Sequence, residues 1–334
     1  MVETVVTSEL LPMVVLAGPT ASGKTSLAIR LAEQFGGEIV SCDSVAVYRE
    51  MEIGTAKPSR EERAMVPHHM IDVAWPDEQF TAGDYSRLAR EALRGISSRG
   101  MLPIVAGGTG LYLRALIDGL FPAPVARPEL RDRLRRRVER LGPESGPAHL
   151  HRVLARLDAA AAAAIHPNDV PKIIRAIEVS LSVRSEKGGA IPMTEQWKQG
   201  RDRLEGYRIL RLGLNPPRAR LYERINQRAA EMFERGLLEE TARLIERYGR
   251  ECRALAALGY VQVAAILTGE VTREEAVAQA QQGHRNYAKR QLTWFRRDDE
   301  MHWLSGLGGE EEIVEQAFGL VEGFLKHQRE GLLQ

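Results

Sequence analysis

Short unbroken apolar runs alternate along the chain with stretches in which apolar residues recur every three or four positions. The runs predict strands buried on both faces, and the recurrences predict helices that cover them. Met13-Val14-Val15-Leu16-Ala17 is the first run, and Ser26 to Gln34 then sets Leu27, Leu31 and Phe35 on one helical face, with Ile29 near it. Glu38 to Cys42 is a second strand, closing at Asp43-Ser44, and Met70 to Val73 reads as a short third. Thr81 opens a helix to about Ser98, with Tyr85, Leu88, Ala89 and Leu93 on its apolar side. Leu102 to Ala106 is again strand, and Leu111 to Leu120 again helix. Strand and helix in strict alternation predict an α/β fold on a parallel sheet.

The rhythm changes from Phe121 to about Gly206. Pro122, Pro124 and Pro128 mark a linker, Glu129 to Leu141 is an arginine-rich helix, and Asp158 and Asp169 cap two more. No strand run occurs there, so the segment reads as an all-helical insertion. Tyr207 to Leu214 returns to strand, Pro216-Pro217 ends it, and Arg220 to Arg235 forms a helix with Leu221, Ile225, Ala229 and Phe233 inward. Leu258-Gly259-Tyr260 is a tight turn or helix junction, and Thr272 with Glu275 is a capping box opening a long helix. The expected organisation is an α/β core over 1–122, the helical insertion over 123–206, the core resumed over 207–304, and a helical tail over 305–334.

Length and composition narrow this only slightly. At 334 residues the chain suits two compact units or one with an insertion. Its net charge of +1 supplies no global field for nucleic acid, so any such role must come from local patches. The two cysteines, Cys42 and Cys252, lack metal spacing and suit a reducing, cytoplasmic setting. Leu10 to Ala17 has no basic residues before it, so it reads as a strand rather than a signal peptide. No apolar stretch is long enough to span a bilayer, so no membrane partner is expected.

Candidate chemistry concentrates at strand ends. Gly18-Pro19-Thr20-Ala21-Ser22-Gly23-Lys24-Thr25 matches every fixed position of the P-loop, between a strand and a helix. Its backbone N–H groups and the helix N-terminus favour a phosphate or pyrophosphate. Lys24 would neutralise the outer charge, and Thr25 would offer its hydroxyl to Mg2+. Asp43 ends the second strand near that cradle; it reads as a water-mediated magnesium ligand, a general base, or a loop cap. Tyr48 and Gly54-Thr55-Ala56-Lys57-Pro58 then set a turn glycine, a hydroxyl and a cation just outside. Adjacent His68 and His69 point different ways on a regular element and suit packing or hydrogen bonding better than a shared metal. Gly107-Gly108-Thr109-Gly110 is a second close-approach turn, suited to another substrate or simply to a helix start. No acid closes its strand, which counts against an ordinary ATPase. Arg224 lies one helical reach from the pyrophosphate position. Residues 284–297 carry five Lys/Arg and no acid, interleaved with Tyr287, Trp294 and Phe295. That composition suits either a nucleic-acid surface or an amphipathic helix whose arginines snorkel.

In this order, these runs resemble the tRNA dimethylallyltransferases, also called tRNA isopentenyltransferases, over residues 12–304. The resemblance rests on the P-loop, Asp43-Ser44 with Tyr48, Gly54 to Pro58, and Gly107-Gly108-Thr109-Gly110-Leu111-Tyr112. It extends to His166-Pro167-Asn168-Asp169 with Arg175-Ala176, and to Lys289-Arg290-Gln291-Leu292-Thr293-Trp294. It implies a P-loop NTPase-like parallel sheet with the helical insertion. The implied reaction moves the dimethylallyl group from dimethylallyl diphosphate to the exocyclic amine of the adenine beside the tRNA anticodon, releasing pyrophosphate. A free-nucleotide isopentenyltransferase and a P-loop small-molecule kinase are the alternatives. Asp43 and Thr109 are implied as catalytic; Gly18 to Thr25 and Arg224 as the diphosphate site; Thr25 as the Mg2+ ligand. Contacts to the tRNA anticodon arm fall to Asp43, Ser44, Val45, Ala46, Thr109, Arg131, Lys172, Arg175, Gly259, Tyr260, Arg285, Lys289 and Arg290. A monomer without an obligate protein partner is expected. Two positions depart from the family pattern: Ala46, where Gln is frequent, and Val261, where a basic residue is frequent. No zinc-finger extension of the eukaryotic kind appears, which fits the bacterial type.

Overall fold

A computed structural model of the protein describes residues 10–121, 124, 126–183 and 189–330. Pro122 and the expected boundary at 122/123 lie outside these described residues. The chain forms two compact units, one made of residues up to Ile117 together with those from Leu204 onward, the other of Asp118–Arg203.

The first unit begins with β1 (Leu11–Ala17), α1 (Lys24–Phe35), β2 (Gly37–Cys42), α2 (Arg60–Met65), β3 (His68–His69), α3 (Ala82–Ser98), β4 (Leu102–Gly107) and α4 (Gly110–Ile117). The second unit holds α5 (Pro128–Leu157), α6 (Ala159–Ala164), α7 (Val170–Ser182) and α8 (Met193–Gln196). The first then resumes with β5 (Tyr207–Leu214), α9 (Arg218–Glu234), α10 (Leu237–Tyr248), α11 (Tyr260–Leu267), α12 (Arg273–Phe295), β6 (His302–Leu304) and α13 (Glu311–Glu330). The six strands lie in the order β3-β2-β4-β1-β5-β6, and every pairing is parallel. β1 is therefore central. The chain leaves it toward β2 on one side and later returns to it through β5 on the other. A ligand crevice forms outside strand ends at such a reversal.

Both faces of the sheet are covered, which is why its central strands β1 and β4 are continuously apolar. Met13, Val15 and Ala17 pack one way, in a core with Val40, Val105, Tyr85 and Leu93. Val14 and Leu16 pack the other way, with Leu27, Leu31, Ile104 and Leu212. The tail belongs to this second core: Ile313, Val314, Ala317 and Val321 of α13 are buried in it, and Phe318 meets Phe35 edge-on at 5.6 Å. The tail is thus a part of the core. β6 adds a sheet strand, and the loop after it donates Gly308 N–H to Ser22 O at 2.8 Å, against the P-loop.

One correction concerns residues 70–73. The strand there is His68–His69 instead, because the chain turns left-handed at Met70 (φ 65°) and Asp72 (φ 57°). Asp72 is drawn aside by Lys57 Nζ at 2.6 Å and Arg63 Nη1 at 2.8 Å, and these ion pairs hold a turn where an apolar run alone predicts extension.

Caps hold where the sequence places them. Thr272 accepts from Glu275 N–H, Thr81 from Asp84 N–H, Asp158 from Ala161 N–H and Asp169 from Lys172 N–H. In the helical unit Leu150, Leu154, Ile173, Ile174 and Ile177 form a separate core. α5 is broken at Gly142 (φ 81°), just before Pro143.

Candidate active site

The cradle begins where β1 ends. Gly18 sits at φ 155°, and a Cβ there would meet Leu214 at 3.1 Å. Gly23 is left-handed at φ 88°, and its Cβ would meet Gly308 N at 2.8 Å. These two positions need glycine because β5 and the 305–309 loop close on the turn from behind. The turn lines one cavity of about 540 Å³ together with Asp43, Ala46, Gly107, Gly108, Arg224, Arg228, Tyr287 and Gln291.

Cations gather on its P-loop side. Lys24 Nζ donates to Pro19 O at 2.6 Å. Burial, then the nearby Arg228 cation, draws its pKa down to about 7, against an opposing pull from Asp43. Arg228 donates to Thr20 Oγ1 and is itself lowered by burial. Arg224, one turn earlier on α9, lines the same cavity from a more exposed position. Arg228 was legible only as one of several arginines on its helix, whereas the fold makes it the one that touches the P-loop. Ser22 Oγ is fully buried and has no hydrogen-bond partner among the described residues.

The opposite wall comes from β2 and β4. Asp43 Oδ1 accepts from Val45 N–H at 2.8 Å and Ala46 N–H at 3.2 Å, closing a turn at the strand end. Its Oδ2 takes no hydrogen bond among the described residues, although the carboxylate charge acts on Lys24 and Arg228. Thr109 N–H and Gly108 N–H both donate to Cys42 O, at 3.1 and 3.2 Å. Thr109 Oγ1 accepts from Ser44 N–H at 3.0 Å and faces Ser44 Oγ at 3.3 Å. The two strand-end turns are thereby tied side by side. Cys42 is buried between them, its thiol pushed up to about 12 chiefly by burial, so it stays protonated. Tyr287 closes the wall from α12; burial, then Asp43, pushes its phenol up to about 12, opposed by a hydrogen bond with Thr109.

α12 accommodates both readings of its composition at once. His284, Ala288, Gln291 and Phe295 face inward, while Lys289, Arg290 and Trp294 are exposed. Burial, then Arg228, pushes His284 down to about 4, so it is neutral. Arg290 lies over the Tyr287 ring at 5.6 Å. Arg285 bonds Asn226 Oδ1 and Gln282 Oε1, the latter at 2.6 Å.

Several residues expected to meet RNA have other partners in the fold. Tyr260 is 0% exposed, and its hydroxyl donates to Glu240 at 2.6 Å. Gly54 lies against that ring so closely that a Cβ would come within 2.4 Å of it. Gly259 supplies the left-handed start of α11 at φ 92°. Lys57, expected as a cation at the crevice rim, is spent on Tyr48 O, Glu52 and Asp72. In the helical unit, Arg131 and Arg175 both pair with Glu178, which is 0% exposed. Burial alone would raise Glu178, but Arg131, Arg127 N–H and Arg175 hold it low. Lys172 pairs with Asp169 on the surface and remains largely exposed. His69 bonds Glu38 at 2.6 Å and His68 Nδ1 bonds Val66 O at 2.9 Å, while His68 also lines the cavity with its buried Nε2 unpartnered among the described residues. Among the described residues no cluster of three His, Cys, Asp or Glu forms a metal site.

A glycine cradle at the end of a central parallel strand defines an α/β protein of the P-loop type. The family model described as IPP transferase matches residues 46–298. The "tRNA dimethylallyltransferase" of Koribacter versatilis is 62% identical over 92% of this chain and 97% of its own length. That of Solibacter usitatus is 49% identical over 94% and 99%. The crystal structure of a tRNA isopentenylpyrophosphate transferase from Bacillus halodurans matches with a TM-score of 0.69 at 36% identity, covering 97% of this chain and 99% of that one. This chain belongs to the IPP transferase family.

Proposed function

We propose that this protein transfers the dimethylallyl group of dimethylallyl diphosphate to the exocyclic amine of an adenine in tRNA, beside the anticodon, and releases pyrophosphate. The observation that carries the assignment is one cavity lined both by the cationic P-loop cradle and by the carboxylate of Asp43. The P-loop amides, Lys24, Arg224 and Arg228 take the diphosphate and stabilise the charge that grows on it as the allylic C–O bond breaks. The unpartnered Ser22 Oγ suits an oxygen-rich ligand in that cradle. Ile39, Ala46, Ala56 and Ile71 supply apolar wall for a five-carbon group.

The adenine amine is a weak nucleophile because its lone pair is conjugated with the ring. Asp43 Oδ2 accepts its proton as the new C–N bond forms. Thr109 holds the Asp43 turn through Ser44 and orients the base. Thr25 and Asp43 are hard oxygen donors on the same cavity, and so fit Mg2+, which keeps most of its shell as water and phosphate oxygens. When bound, Mg2+ would offset diphosphate charge. Lys289, Arg290 and the exposed Trp294 offer phosphate and base contacts for the anticodon arm. Cys42 and Cys252 are free thiols, in keeping with a cytoplasmic enzyme, and we expect it to act as a monomer.

The test is a transfer assay with labelled dimethylallyl diphosphate, Mg2+, and either unmodified tRNA or AMP. Label in tRNA alone supports the proposal. Label in AMP alone makes the protein a free-nucleotide isopentenyltransferase, and with ATP added to both tubes, ATP consumption without label transfer makes it a kinase.

A further inference from the structure

Gln291 is the one side chain among the described residues that bonds both glycine-rich turns. It is 5% exposed, on the inner face of α12. Its Oε1 accepts from Thr20 N–H of the P-loop at 2.8 Å, and its Nε2 donates to Gly108 O of the second turn at 2.9 Å. The amide can face only one way, because Thr20 N–H is solely a donor and Gly108 O solely an acceptor. The close approach is built in from both sides: a Cβ on Gly108 would fall 2.1 Å from Gln291 Nε2.

We propose that Gln291 is a positioning residue that sets the separation between the donor cradle and the acceptor turn. The inference rests on the prenyl-transfer reading of the cavity. The diphosphate is held by the P-loop, while the adenine is presented by Asp43 and Thr109. The attacking nitrogen and the allylic carbon must meet at the distance these two turns define. β1 and β4 fix the bases of the turns, but their tips extend beyond the sheet ladder, whose last β1–β4 pair is Ala17 with Gly107. Beyond that pair Gln291 bridges the tips. It does so from the helix whose outer face carries Lys289, Arg290 and Trp294, so a ligand seated there acts on the element that spaces the site.

The experiment compares full-length wild type, Gln291→Ala, Gln291→Glu, Gly108→Ala and the double variant Gly108→Ala/Gln291→Ala. Single-turnover label transfer gives the rate, steady-state kinetics gives KM for each substrate, filter binding gives tRNA affinity, and calorimetry gives Tm. A lost spacer misplaces reactants without removing binding groups, so Gln291→Ala is expected to lower kcat about 100-fold with both KM values within about threefold. Gln291→Glu keeps the acceptor for Thr20 but loses the donor to Gly108, so its kcat is expected to fall between wild type and Gln291→Ala. Gly108→Ala displaces the glutamine amide and is expected to lower kcat at least about tenfold in wild type but less than about threefold when Gln291 is already Ala. Unchanged kcat in Gln291→Ala, or equal losses from Gly108→Ala in both backgrounds, overturns the proposal. So does a kcat loss matched by an equal loss of tRNA affinity. If Gln291→Ala does not fold, Gln291→Glu and Gly108→Ala decide by the same split. Absence of transfer to tRNA by the wild type would instead defeat the prenyl-transfer reading.

Discussion

Asp43 commits one oxygen to structure, and the proposed chemistry falls to the other. Oδ1 is committed to Val45 and Ala46 N–H, so replacing the side chain with Ala would remove the turn along with the carboxylate. Asp43→Asn keeps an acceptor at Oδ1 and removes only the proposed base. Label transfer is expected to slow about 100-fold or more, the range typical of a lost general base. Filter-binding affinity for tRNA should stay within about threefold, since a neutral amide adds no repulsion; a parallel collapse of binding would make Asp43 a recognition residue. Lys24 has a second testable property. With its pKa drawn to about 7, the free protein loses that ammonium above neutrality. A diphosphate favours the charged form, so binding above pH 7 takes up a proton. Titration with a non-reactive thio-diphosphate analogue should show affinity falling as pH rises above about 7, by at most about tenfold per unit. Lys24→Met should bind weakly with that component of the slope gone. In folding the sign is opposite. Between about 7 and the ordinary 10.5 the unfolded chain holds a proton that the folded chain lacks, so this group's contribution to stability grows with pH across that window.

At the scale of elements, buried carboxylates hold loops to helices. Glu240 of α10 is 3% exposed and accepts from the N–H groups of Glu52, Ile53 and Gly54 and from Tyr260 hydroxyl. This pins the loop that runs on to the cavity wall at Thr55 to Pro58. Tyr260→Phe removes one hydrogen bond to a charged acceptor and should cost about 1.5–3 kcal/mol in denaturant unfolding. tRNA affinity should be unchanged, whereas a specific loss of affinity at constant stability would return Tyr260 to the RNA surface. Glu178 plays the same part in the helical unit, gathering Arg127 N–H, Arg131 and Arg175. Of the arginines on α5, Arg131 is tied to that carboxylate, 47 positions along the chain, while Arg133, Arg136 and Arg140 stay exposed. Thr272 and Asp158 act on residues within one turn, and their caps were legible for that reason. The partners of Arg131 and Tyr260 are set by which helices pack together, which no local window contains.

Taken whole, the molecule is nearly neutral, so attraction to RNA has to be local. α12 provides the clearest patch. Replacing both Lys289 and Arg290 with Ala should weaken tRNA binding and flatten the dependence of log K on log salt, by about 1 for each phosphate no longer neutralised. Filter binding across a salt series measures this. An unchanged slope would place the RNA elsewhere. No described helix is long and apolar enough to cross a membrane.

The chain by itself determined what short-range chemistry can encode. The buried runs from Met13 to Ala17 and Leu102 to Ala106 declare a parallel sheet because both faces must be covered, and the P-loop is a contiguous eight-residue device. Asp43 and Thr109 were legible because a strand end fixes where its next residues project. Tertiary structure decided the pairings between distant segments. Gln291 lies 271 positions from Thr20, and Glu240 lies 187 from Ile53. Gly308 reaches Ser22 from the loop before the last helix. Apolar periodicity reports only which side of an element is buried. Which polar atoms meet there is settled by the assembled sheet and the helices packed on it, where most buried donors and acceptors take the partner that geometry brings within reach.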